Sequence, residues 1–211
     1  MAIRAGVLSD DTLLSRLDQG LYRLERVFGL VSGLAVFALM FLAVYSVGGR
    51  NIMNAPVRGY VDWIEITMPL IAIMGVSYTQ RDGGHIRMDI LVGRLKGRPL
   101  WLAEFITTSL VLLLIVLLIW GSWAHFLRSF DFGSPMWSRD STIDIKLPVW
   151  PAKLIVPVAF SVLALRLVLQ LWSYARAIAT GTDSPVGVPL IEDAATIAAR
   201  EAAAVTGRED L

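Results

Sequence analysis

Of 211 residues, 55% are hydrophobic and only 18% are charged, and the mean hydropathy is +0.62; this balance excludes an ordinary soluble domain. A net charge of +1 offers no broad basic surface for nucleic acid, and the absence of cysteine excludes disulfides, thiolate metal sites and cysteine nucleophiles. The apolar residues come in blocks rather than in a helical or alternating rhythm, as in helices surrounded by lipid.

A polar segment, 1–26, precedes the first block and is read as a cytoplasmic N-terminal piece. The block that follows is too long for a signal-peptide core and lacks a cleavage site, so it reads as an uncleaved span. Four stretches reach the roughly 20 apolar residues that cross a bilayer at about 1.5 Å per residue. They are Val27–Val47, Trp63–Gln80, Phe105–Phe126 and Trp150–Tyr174. Glu65 sits just inside the second, and Arg166 lies near the end of the fourth, where it is expected to snorkel to the interface. Placement near an end matters, because a charge at mid-bilayer costs about 2.5–3.5 kcal/mol on insertion scales.

Between the second and third spans, residues 86–96 (IRMDILVGRLK) are read as a short amphipathic helix lying in the inner interface. The longest loop between spans runs from Leu127 to Leu147 on the opposite side. Lysine and arginine are biased by about eleven to six toward the side holding the N-terminus, the 81–98 loop and the exit of the last span. Both termini are therefore expected in the cytoplasm, with Trp63, Trp123 and Trp150 at the outer interface and Trp101 and Trp172 at the inner one. The expected organisation is all-α: a four-span membrane domain, 27–174, and a partly helical cytoplasmic tail, 175–211.

Several residues carry candidate roles. Arg50 closes the first span and Glu65 opens the second, so an ion pair between them would clip the two helices together. Two independently hydrated charges are the alternative, because exposed pairs contribute only about 0–1 kcal/mol. Asp62, one turn before Glu65, competes for the same arginine. Arg81, His85 and Asp89 either hold the interfacial segment against a partner or sit among headgroups, with Asp89 capping a short helix. His85 is a poor metal or haem ligand, since the other histidine, His125, lies at the opposite interface. Gly29 and Gly33 form a small-xxx-small pair beside Ser32, and Pro157 interrupts the fourth span. A phosphate-binding loop, a metal-ligand cluster and paired intramembrane carboxylates are all missing from the sequence, so no cofactor is expected and an enzyme is disfavoured.

Three stretches together resemble the small membrane subunit, DctQ-like, of tripartite ATP-independent periplasmic (TRAP) transporters. The first is Arg50-Asn51-Ile52 followed by Trp63-Ile64-Glu65; the second is Gly75 followed by Arg81-Asp82-Gly83-Gly84-His85-Ile86-Arg87-Met88-Asp89. The third is Ser141-Thr142-Ile143-Asp144 with Leu147-Pro148-Val149-Trp150-Pro151 and Pro157. The resemblance implies a multi-pass protein of the bacterial inner membrane, partnered by a large permease subunit, a periplasmic solute-binding protein and membrane lipids. It implies symport of an organic acid, with this subunit as the scaffold. A scaffold in some other membrane complex remains the alternative, with a small redox or lipid enzyme behind it.

Overall fold

The computed structural model describes residues 13–55, 57–81, 97–181 and 188. Helix α1 runs Leu13–Met53, α2 Tyr60–Met74, α3 Val76–Arg81, α4 Arg98–Ser129 and α5 Trp150–Thr180. No strand longer than an isolated bridge occurs among the described residues. With α2 and α3 taken as one rod, four helices are long and apolar enough to cross a membrane.

The rods start and stop for local reasons. Pro99 and Pro151 stand in the first turns of α4 and α5, where a missing N–H costs nothing and the fixed φ favours helix. Gly181 ends α5 in the left-handed conformation at φ 70°, its N–H donating to Ala177 O at 2.8 Å. Pro69 lies inside α2 and deprives the Glu65 carbonyl of its helical donor.

Helix α1 departs from expectation. It is a single rod of 41 residues that begins at Leu13, well before Val27. The segment assigned to solvent is helical there because Leu14, Asp18 and Glu25 fall on one face and are buried against the bundle.

Helices α4 and α5 form the tightest pair, with Ile115 of α4 packed on Leu163 and Leu167 of α5. Small residues such as Ala152, Ala159 and Ala177 let α5 approach its neighbours closely. A second cluster joins Trp101 to Tyr174, stacked at 6.0 Å, with Ala177 and Val188 beside them. Helix α5 is the most enclosed and α1 the most exposed. The bundle thus has a loop end, with the turns at 54–59 and 130–149, and a terminal end, with Leu13, Arg81, Arg98 and Thr180.

Candidate functional site

Two polar constellations stand out, one at each end of the bundle. At the terminal end, Arg166 of α5 is fully buried. Its Nε donates to Glu25 Oε1 at 2.7 Å and its Nη2 to Glu25 Oε2 at 2.6 Å, a bidentate fork. Its Nη1 donates to Asp18 Oδ1, and Arg81 Nη2 donates to the other oxygen of that carboxylate at 2.8 Å. Ser77 Oγ donates to Glu25 Oε1 at 2.6 Å, and the Arg81 guanidinium lies 4.0 Å from the Tyr22 ring centroid. One turn beyond Arg166, Gln170 accepts from Gln80 Nε2 at 3.0 Å.

The cluster corrects the snorkelling expected of Arg166. Two guanidiniums and two carboxylates from α1, α3 and α5 neutralise one another inside protein. At about 1.5 Å per residue, Arg166 lies roughly 24 Å along α5 from Trp150, close to where a hydrocarbon core about 30 Å thick gives way to headgroups. A lone cation would be costly there, whereas a paired one with its hydrogen bonds made is tolerated. Chemically the arrangement is a strut. Each charge is engaged by an opposite one, so no free carboxylate remains in it to bind or relay an ion.

At the loop end, the buried Asp62 accepts from the backbone N–H of Asp144 at 3.1 Å and of Ile145 at 2.8 Å. The Thr142 hydroxyl donates to the same carboxylate, while its oxygen accepts from Leu147 N at 2.9 Å. Asp62 therefore clamps the 141–148 turn onto the start of α2. Gly59 makes the fit possible: a Cβ there would lie 2.6 Å from the Ile145 side chain, and its φ of +70° disfavours other residues.

The rest of the loop is pinned in a similar way. Asp131 accepts from Gly133 N at 3.0 Å and Arg139 Nε at 3.1 Å, and these donors hold its carboxyl below the ordinary range. Asp140 accepts from Lys153 Nζ at 2.6 Å and Ser129 Oγ at 2.8 Å, and it too is held low, first by Lys153 and then by Ser129.

The candidate residues from the sequence fall into four groups. Arg81 is drawn into the buried cluster through Asp18. Trp150 packs edge-on to Phe130 at 5.4 Å and donates from Nε1 to Met136 O at 3.0 Å, while Pro151 starts α5. His85, Asp89 and the interfacial segment 86–96 lie outside the described residues.

Arg50 and Glu65 are both exposed, and no ion pair joins them among the described residues. The pairing expected of them is corrected, and Asp62 is not Arg50's partner either, because the 141–148 turn occupies that carboxylate. Arg50 instead stands in the last turn of α1, where the helix dipole favours a cation.

Asp18, Glu25, Ser77 and the Gln80–Gln170 pair were missed in the sequence. A usable signal existed, since an arginine within an apolar span calls for an acid, and two acids spaced seven apart stand on one face of the adjoining helix. Among the described residues no three His, Asp or Glu side chains gather closely enough to hold a metal ion.

The family model for the DctQ component of tripartite ATP-independent periplasmic transporters matches residues 39–177. Arg81 and Arg166 fall inside the matched stretch, whereas Asp18 and Glu25 fall before it. No curated protein matches the chain.

Proposed function

The chain belongs to the DctQ family, a membrane component of TRAP transporters, and on that premise we propose that it is the scaffold of a gradient-driven importer of an organic anion. In this role it seats a large permease subunit in the bacterial inner membrane and helps to dock a periplasmic solute-binding protein. Both termini face the cytoplasm, and Arg50 and Glu65 act as separate anchors at the outer interface. The family match carries the reading, and the chemistry of the interior supports it. The charges of the buried cluster are spent on one another across α1, α3 and α5, which suits a rigid support better than a substrate path.

Co-purification tests the partnership. The chain should bring down a large multi-span permease from detergent-solubilised membranes and should bind no organic anion alone. Stoichiometric solute binding by the isolated chain would overturn the scaffold reading. For topology, single cysteines at Gly133 and Arg98, both exposed, should label from opposite sides of the membrane. Arg98 is the better probe of the inner side, because Gly97 has φ +69° and would be strained by any side chain. Labelling of both from one side would refute the four-span arrangement.

A further inference from the structure

Helix α1 carries an apolar seam that the described residues of its own bundle do not cover. Leu13, Leu17, Gly20, Leu24 and Val27 are all exposed and are spaced alternately four and three residues apart. The alternation continues through positions 31, 34, 38, 41 and 45, which are all apolar and exposed or half-exposed. A 4-3 alternation is the pattern of a helix that packs along another helix, with a slow left-handed drift of about 20° per heptad.

Within the bilayer, lipid tails would satisfy such a seam. Its terminal-end part is different. The uncharged stretch starts at Val27, and Leu17 lies about 15 Å further along the axis. Fitting all 41 residues of α1, about 60 Å, into a 30 Å core would need a tilt near 60°, beyond the usual 0–40°. Moreover Arg16, Arg23 and Arg26 are exposed beside the seam, so this stretch stands in headgroups and water. Yet Leu13 is 62% exposed and Leu17 47% exposed. Leucines held there by the Asp18–Arg166 strut call for a protein surface.

We infer that this seam is the docking line for one long helix of the large permease subunit, an apolar helix with carboxylates in the turns that face Arg16 and Arg23. The inference rests on the scaffold reading and assigns its contact face. In heptad terms Arg16 and Arg23 flank the seam at the positions that set partner choice by charge. A second copy of this chain packed along the same stretch of seam does not supply the acids. Its only carboxylates between Leu13 and Arg26 are Asp18 and Glu25, and both are committed to Arg166. Gly20 leaves open space on the seam, since a Cβ at that position would meet nothing within 4 Å, so a partner helix can approach closely there.

The chain has no cysteine, so single cysteines give clean probes. The complex with its large subunit would carry a benzophenone maleimide at Leu17→Cys, Leu24→Cys or, as a control, Leu102→Cys, an equally exposed leucine at the same end of α4. Irradiation in native membranes should join positions 17 and 24 to the large subunit at ten or more times the yield from position 102. Adducts with lipid alone, with a second copy, or with residues 82–96 of the same chain would each overturn the assignment.

A paired Leu17→Gln and Leu24→Gln change should lower the retained large subunit about tenfold, while Leu102→Gln leaves it unchanged. Equal retention by the pair would overturn the seam alone. Failure of the unaltered chain to retain any large subunit would overturn the scaffold reading together with it.

Discussion

Removing one member of the buried ion pair should harm the bundle more than removing both. Glu25 supplies both oxygens of the fork to Arg166 and also accepts from Ser77. Glu25→Leu leaves a fully buried guanidinium with Asp18 alone, an acid that Arg81 already shares. Stranding a buried charge in this way costs about 3–5 kcal/mol, and Arg166→Met strands Glu25 at a similar cost. Each single change should thus shift the folded-to-unfolded ratio by between about a hundredfold and a few thousandfold. The double change Glu25→Leu with Arg166→Met removes both charges, leaves the Arg81–Asp18 pair intact and should recover most of the loss. Unfolding of the purified protein in mixed micelles, followed by tryptophan fluorescence across a denaturing-detergent series, measures the cycle. Near-neutral single changes, or a double change as damaging as the sum of the two, would refute a strut built on mutual neutralisation.

The loop-end clamp should respond to two small changes. Asp62→Ala leaves the Asp144 and Ile145 N–H groups without their acceptor, which should cost about 1–3 kcal/mol and speed proteolysis between positions 141 and 148. Gly59→Ala should act in the same direction through the clash with Ile145, and unchanged proteolysis in both variants would argue against the clamp. The lowered carboxyls of Asp131 and Asp140 stabilise the loop at any pH above their ordinary value near 3.8. That contribution should fade as pH falls below 3.8 through their folded values, seen as a loss of protection across 131–140 once amide exchange is divided by its intrinsic rate at each pH. A loss of protection already under way between about pH 5 and 7 would contradict it. Because Arg50 and Glu65 do not touch, Arg50→Glu and Glu65→Arg should cause additive losses of assembled complex, and mutual rescue in the double swap would restore the paired reading.

Much of the architecture was legible in the sequence, because lipid imposes long uncharged runs that only helices can fill. The second, third and fourth spans lie within α2–α3, α4 and α5. The start of α1 was not legible. Its first turns are rich in charge, and only the shared inward face of Leu14, Asp18 and Glu25 distinguishes them from a solvated lead-in. Arg166 misled for a related reason. Snorkelling needs only the residue's own helix, whereas neutralisation needs acids 141 and 148 positions away, which only their seven-residue spacing on another helix hints at.

The same difficulty separated the two acids at the loop end. Glu65 looked like the clip because it begins an apolar run, yet Asp62 is the residue that long-range folding covers with the 141–148 turn. Pro151 was recognisable since its role is local, a helix start, with Trp150 beside it in the first turn of α5.

Uptake by proteoliposomes holding the large permease subunit, with and without this chain and with the binding protein and an ion gradient supplied, tests the scaffold role most directly. Uptake should depend on the chain, and should fall with Glu25→Leu in step with the loss of assembled complex rather than through a changed substrate or ion dependence. Full uptake by the large subunit without this chain, or a Glu25→Leu complex that assembles normally yet shows altered ion coupling, would contradict the role assigned to it.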